Sequence, residues 1–162
     1  QPPLHDYQDV ASIFLDTLTT GTEFLQVSIN STGTTECTWF RTSTAATPLD
    51  DGNPNMGHPV TATPKLAIKG LWSSVSTGTQ DDKAVWTAQI ALPIAGMPQR
   101  LQVQPLPNTT WKFNLLRLAT PRDIAPGTGG RADQLQSNLS EVFPNAQPVS
   151  PYRLADLQFS DP

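Results

Sequence analysis

The sequence predicts an all-β protein built from antiparallel strands, and three observations indicate this class. Apolar residues recur at every second position in several short runs, which is the period of a strand with one buried face. The 16 Pro and 10 Gly separate these runs in the manner of turn residues. Hydrophobic residues make up 37% of the 162 residues, which suits one loop-rich domain over residues 1–162 with a core of its own.

Two of these runs lie close together in the middle of the chain. The first begins at Ala84 and alternates through Trp86 and Ile90 until Pro93, which cannot donate to a strand ladder. The second alternates from Trp111 to Arg117. We predict that these runs are two strands of one antiparallel sheet, joined by a loop.

The same pattern of apolar residues divides the rest of the chain into predicted strands, turns and loops. Residues 9–16 are apolar on both faces, which predicts a central strand, and residues 22–30 alternate, so the two predict a hairpin. Further strands are predicted at residues 35–42, 65–72 and 152–159. Residues 73–82 are predicted to be a turn. Residues 43–64 and most of the chain between Arg117 and residue 152 are predicted to be loops, and long loops of this kind are often functional or disordered.

The composition disfavours several classes of function. The net charge of −4 and the scattered positions of the ten Lys and Arg residues disfavour nucleic-acid binding. No apolar run reaches the ~18 residues that a membrane-spanning helix needs. Cys37 is the one cysteine, so an intrachain disulfide and a cysteine-rich metal site are excluded, and we expect a buried, unreactive side chain.

The two central runs resemble the C-terminal half of family 9 carbohydrate-binding modules. That family pairs a strand of the type W-T-x-E-x-x-I-P with one of the type W-x-x-N-x-x-R. Gln89 stands where the family usually carries Glu. The matching positions here are Trp86, Thr87, Ile90 or Leu92, Pro93, Trp111, Asn114 and Arg117.

The resemblance covers most of residues 9–159. Ser12 replaces a Glu that the family usually carries. Family members also have two or more strands before the first matching strand. Two alternatives follow from the resemblance: a second chain or segment supplies these strands, because an open sheet edge invites strand pairing, or the sandwich is smaller. The further matching positions are Asp9, Phe14, Leu15, Asp16, Asn30, Gly33, Thr34, Arg153, Leu157 and Phe159.

The resemblance implies an immunoglobulin-like antiparallel β-sandwich that binds glycans without cleaving them, as an accessory module or subunit of an extracellular protein. A glycan-degrading enzyme is one such parent protein. Sugars stack their apolar C–H face on aromatic rings while their hydroxyls form hydrogen bonds. We expect Trp39 and Trp72, which flank the 43–64 loop, to be the stacking platforms, and Trp86 and Trp111 to pack in the core. The expected polar contacts are Arg41, Asn114 and Arg117.

Two alternatives stay open. Leu139 stands where sugar-binding family members often carry a Trp, which favours a structural or assembly module that has lost the sugar site. A related sandwich binds haem through Met with Lys or His, so the tripeptide Met56-Gly57-His58 indicates a haem-binding relative as a further alternative.

Other chemistry has weaker support in the sequence. The oxygen-rich run from Asp50 to Asn53 is compatible with Ca²⁺, although a solvated acidic turn is the simpler interpretation. His5 and His58 form no zinc pattern, and no nucleophile motif is present, so we do not expect an enzyme. Glycosylation sequons, which matter only in a secreted protein, begin at Asn30, Asn108 and Asn138.

Overall fold

The computed structural model describes residues 9–42, 60–119, 135–138 and 155–159. Within these ranges more than half of the residues are in strands, six are in short 3-10 helices, and every strand pairing is antiparallel, which confirms the predicted all-β class. The immunoglobulin-like arrangement stays a prediction. The strands are β1 (Val10–Asp16), β2 (Glu23–Asn30), β3 (Thr35–Thr42), β4 (Val60–Thr63), β5 (Trp72–Gln80), β6 (Lys83–Ala91), β7 (Thr110–Ala119), β8 (Leu135–Asn138) and β9 (Ala155–Gln158).

Seven of these strands form one large sheet. Its order is β4-β3-β2-β1-β7-β8, and β9 pairs with the other end of β7. The predicted hairpin of β1 and β2 and the central place of β1 are both confirmed. Ile13 lies opposite Val27 on one side and Leu115 on the other, so these residues share a face, which we call the inner face.

The remaining strands, β5 and β6, form a two-stranded hairpin that packs on the inner face. Gln80 pairs with Lys83, so the turn consists of Asp81 and Asp82, whose φ angles are 50° and 58°. Positive φ at both central residues matches the two-residue turn that suits the twist of β-hairpins.

The structure corrects the predictions for residues 65–82. Residues 73–80 are strand rather than turn, and of the predicted strand 65–72 only Trp72 belongs to a strand. The Ser- and Thr-rich β5 shows little alternation because most of its residues are exposed, and its backbone is held by pairing with β6. Before it, the positive φ angles of Lys65 and Gly70 interrupt an extended conformation.

The prediction that the Trp86 and Trp111 strands share a sheet is also wrong. β6 belongs to the hairpin and β7 to the large sheet. Two short 3-10 helices, Ile94–Gly96 and Gln99–Leu101, lie between them, and Leu101 is fully buried. The Thr17 hydroxyl donates a hydrogen bond of 3.0 Å to the Leu101 carbonyl, which fixes this connection against the end of β1.

Two short strands lie inside regions predicted to be loops. β4 falls within residues 43–64, and β8 falls in the long stretch after Arg117. Each has four residues, too few for an alternating pattern to be recognised. β9 falls within the predicted strand 152–159.

Apolar side chains are buried on both faces of the large sheet. On the inner face, Leu25, Val27 and Cys37 pack with Leu101 and other residues of the connecting segments. On the opposite face, the rings of Phe24 and Phe40 stack with centroids 4.8 Å apart. Cys37 is buried as predicted, and this burial, together with the charge of Glu36, raises the thiol pKa to about 11.

The hairpin is attached to the large sheet mainly by its base. The hydroxyls of Thr35 on β3 and Ser73 on β5 share a hydrogen bond of 2.7 Å between the two sheets. Residues 76–84, the outer half of the hairpin, are all exposed. In the described ranges, no helix is long and apolar enough to cross a membrane.

Candidate ligand-binding cleft

A cleft of about 750 Å³ separates the hairpin from the inner face of β1 and β7. Volumes of roughly 300–1,000 Å³ are typical of small-molecule sites. The large sheet contributes Ala11, Ile13 and Leu115 to its lining, and the hairpin contributes Trp86 and Ile90. These residues give the cleft an apolar wall with one aromatic side chain.

Small side chains explain why the two layers do not close over this space. On β6, Ala84, Trp86 and Ala88 point to the same face and all three line the cleft, so an alanine lies on either side of the indole. On β1, Ala11 is also small. Leu115 is 44% exposed although it occupies an inner-face position, and its side chain lines the cleft.

Two charged residues line the same cleft. Asp9 precedes β1 and Arg117 lies on β7, and the Arg117 Nη2 is 3.4 Å from the Asp9 Oδ2. Both side chains are partly exposed, so the pair can exchange its contact for contacts with a ligand. Ser31 and Thr77 also line the cleft and can contribute hydroxyls. The cleft thus combines an aromatic wall with a hydrogen-bond donor and an acceptor.

Of the five residues predicted to contact a ligand, only Arg117 lines this cleft. Trp72 is 53% exposed, the most exposed of the described tryptophans, but it faces away from the cleft. Its neighbour Ser73 lies opposite Ile90, which packs towards the core, so Trp72 and its partner Ala91 are on the outer side of the hairpin.

Trp39 and Arg41 lie together at another part of the inner face. Trp39 packs against the core cluster, and the Arg41 Cζ is 4.5 Å from the centre of its ring. This arrangement disfavours Trp39 as a stacking platform, because a sugar would have to displace the guanidinium.

Asn114 is on the opposite face of the sheet from Arg117. It lies opposite Phe14 and is 1% exposed, and its Oδ1 accepts a hydrogen bond from the Leu115 backbone N–H. Trp111 is buried, with its ring edge-to-face with Phe159 at 5.1 Å. Neither side chain reaches the cleft.

Two cleft residues, Trp86 and Asp9, are not among the predicted ligand contacts. The sequence predicts that Trp86 packs in the core, and it marks Asp9 only as a position that matches the resemblance. A signal for Trp86 was present, because the flanking Ala84 and Ala88 are too small to enclose an indole. No local signal identified Asp9, since its role depends on the pairing of β1 with the distant β7.

Several predicted features lie outside the described residues. These are the Asp50–Asn53 run, the Met56-Gly57-His58 tripeptide, His5 and Leu139. Within the described ranges, no three His, Cys, Asp or Glu side chains are grouped to hold a metal ion.

The sequons that the structure describes differ in accessibility. The Asn30 side chain is buried, and its Oδ1 accepts hydrogen bonds from the N–H groups of Thr32 and Thr34 and from the Thr32 hydroxyl. Asn108 is exposed in the turn before β7. The side chain of Asn138 lies outside what the structure describes.

The sequence matches no model of a known protein family, and no curated protein or solved structure is significantly similar to it. What the cleft binds is therefore inferred from its own residues and from the resemblance described above.

Proposed function

We propose that the protein binds carbohydrate without cleaving it and that the cleft beneath the β5–β6 hairpin is the binding site. The observation that carries this proposal is the presence of Trp86 and the Asp9–Arg117 pair in one cleft. An indole can stack on the apolar face of a sugar ring. A carboxylate and a guanidinium side by side can accept from and donate to neighbouring sugar hydroxyls.

The small number of acidic residues in the cleft supports binding without hydrolysis. Glycoside hydrolases generally use two carboxyl groups that flank the scissile bond. Among the described residues that line the cleft, Asp9 is the one acidic residue, and it contacts Arg117. The resemblance to family 9 modules supports the same function and an extracellular setting, as an accessory module or subunit of a larger extracellular protein.

A binding screen tests this function. The chain is titrated with neutral mono- and oligosaccharides by calorimetry, while tryptophan fluorescence is followed in parallel. We expect a saturable enthalpy together with a fluorescence change from Trp86. Absence of binding to every sugar, by a sample that circular dichroism shows to be folded, would contradict the proposal.

An assembly module is the second candidate function. In the described part of the chain, the second sheet has two strands and leaves Leu115 44% exposed on the inner face. A strand from a partner chain could pair with an edge of the hairpin and cover this surface.

Sedimentation velocity separates the two candidates. The assembly function predicts a concentration-dependent dimer or larger species that Leu115→Asp dissociates. The carbohydrate-binding function predicts a monomer whose sedimentation is unchanged by that substitution, together with weaker sugar binding.

A further inference from the structure

A second cluster of polar side chains lies at the other end of β2 from the cleft. Glu23 begins β2 and is only 5% exposed. Arg100, in the connection between β6 and β7, donates a hydrogen bond of 2.6 Å to the Glu23 Oε1. Arg41 on β3 lies directly opposite Glu23 in the strand register, which places their Cβ atoms about 5 Å apart. Two arginines are therefore close to one buried carboxylate.

The carboxylate neutralises only one of these two arginines. The Glu23 Oε2 is buried and has no hydrogen-bond partner within the described chain, so Arg41 does not donate to it. Among the residues that the structure describes, Arg41 forms no ion pair with a carboxylate. The cluster thus has a net positive charge, although the chain as a whole carries −4.

The two guanidinium groups are available to a ligand. The Arg41 guanidinium lies over the Trp39 ring at 4.5 Å, a contact to the ring face that orients the group, and Arg41 is exposed. The Arg100 side chain is 76% exposed although one of its nitrogens contacts Glu23. A guanidinium has five N–H donors, and its planar shape matches the oxygens of carboxylate and sulfate groups.

We propose that Arg41 and Arg100 form an anion site that binds a carboxylate or sulfate group of an acidic polysaccharide. This inference rests on the proposed carbohydrate-binding function and specifies its ligand class. Glu23 is six residues along β2 from Ile29, which lines the cleft, so the two sites are separated by about 20 Å at the rise of a strand.

A polymer offers an advantage that a small anion does not. A chain bound in the cleft by one residue raises the effective concentration of its other residues near the two arginines. Acidic groups that repeat along the same chain would therefore bind there more tightly than free sulfate or a free monosaccharide acid. A neutral polysaccharide would use the cleft alone.

Calorimetry with three ligands tests the anion site. The ligands are a neutral oligosaccharide, a sulfated or uronic-acid oligosaccharide of the same length, and inorganic sulfate. We expect the acidic oligosaccharide to bind about tenfold more tightly than the neutral one at low salt, with the difference shrinking as salt is added.

The test variant is Arg41→Gln, which removes the charge of a side chain that does not bond to Glu23 and leaves Arg100 to pair with that carboxylate. Lys83→Gln is the matched control, because Lys83 is an exposed cation at the hairpin turn. We expect the preference for the acidic ligand to disappear in Arg41→Gln and to persist in Lys83→Gln. A double variant, Glu23→Gln with Arg100→Gln, should also lose the preference without leaving a buried carboxylate unpaired.

The outcomes separate this inference from the function on which it rests. Equal binding of neutral and acidic oligosaccharides would overturn the anion site and leave the carbohydrate-binding function intact. Equal losses in Arg41→Gln and Lys83→Gln would also overturn it, since they would indicate a general charge effect. If neither oligosaccharide binds, the proposed function fails together with the inference, even if inorganic sulfate binds.

Discussion

Arg117 and Asp9, which are 108 residues apart in the chain, meet at the cleft with their side chains 3.4 Å apart. The antiparallel pairing of β1 with β7 produces this contact, because it sets Arg117 opposite Ala11, two residues after Asp9. The alanine is too small to separate the two charged groups. The donor and acceptor proposed for sugar hydroxyls are thus positioned by the register of the central strands.

The first prediction concerns Arg117. Arg117→Gln removes a charged hydrogen-bond donor from the cleft, and such bonds contribute about 1.5–3 kcal/mol, so sugar affinity should fall at least tenfold. The free energy of unfolding should change by less than about 1 kcal/mol, because the ion pair with Asp9 is partly exposed and screened by solvent. Calorimetry and urea unfolding measure the two effects, with Lys83→Gln as the control for loss of a positive charge.

The second prediction concerns the turn between β1 and β2. The buried Asp16 carboxylate accepts hydrogen bonds from the backbone N–H groups of Leu18 at 2.9 Å and Gly21 at 2.8 Å. Asp16→Ala would leave both donors without this partner, so the free energy of unfolding should fall by about 2–4 kcal/mol. A loss below about 0.5 kcal/mol in urea unfolding would show that the turn does not depend on this side chain.

The third prediction is the pH dependence that Asp16 contributes. Burial raises the pKa of its carboxyl above 3.8, although backbone N–H groups and the charge of Lys112 lower it. A raised pKa in the folded state means that folding favours the protonated acid. The stability of the protein relative to Asp16→Asn should therefore be greatest below pH 3.8 and decrease as the pH rises through the folded-state pKa. Urea unfolding of both proteins from pH 3 to 7 checks this, and a relative stability that increases with pH would contradict it.

The fourth prediction compares two glycines. A Cβ added at Gly96 would collide with the Lys69 carbonyl oxygen and lie 3.0 Å from the Ile68 Cγ2, whereas one added at Gly78 would meet nothing within 4 Å. Gly96→Ala should reduce the free energy of unfolding by about 1–3 kcal/mol, because the backbone must move. Gly78→Ala in β5 should be neutral or slightly stabilising. Thermal unfolding of the two variants measures the difference, and equal melting temperatures would show that the 3-10 helix at Gly96 is not closely packed.

The sequence predicts the strands in which apolar residues recur at every second position, whether one face or both faces are buried. β1, β2, β3, β6 and β7 were found close to their predicted places because apolar side chains at every second position mark them. β5 was missed because backbone pairing with β6 defines it, and a run such as Ser73–Ser74 has little apolar alternation. The division between two sheets was missed because strand partnership depends on how the connection through Leu101 packs, which no local pattern reports.

The candidate site was predicted less well than the fold. Arg117 came from the resemblance, and it is in the cleft. Trp72 was predicted as a platform because it flanks a long loop, yet the register of β5 turns it to the outside of the hairpin. The pairing register of a strand determines which face of the sheet each side chain is on. A register shift of one residue would therefore move a side chain into the cleft or out of it.

The most direct test of the cleft as the sugar site is calorimetric titration of three variants with the tightest-binding oligosaccharide of the screen. Trp86→Ala removes the aromatic wall, and Ala88→Phe fills the cleft without removing any contact. Trp72→Ala alters an indole on the other side of the hairpin. We predict that Trp86→Ala and Ala88→Phe each weaken binding at least tenfold, which corresponds to about 1.4 kcal/mol, while Trp72→Ala binds normally. Normal binding by a folded Ala88→Phe, with binding lost in Trp72→Ala, would contradict the assignment and place the site on the outer side of the hairpin.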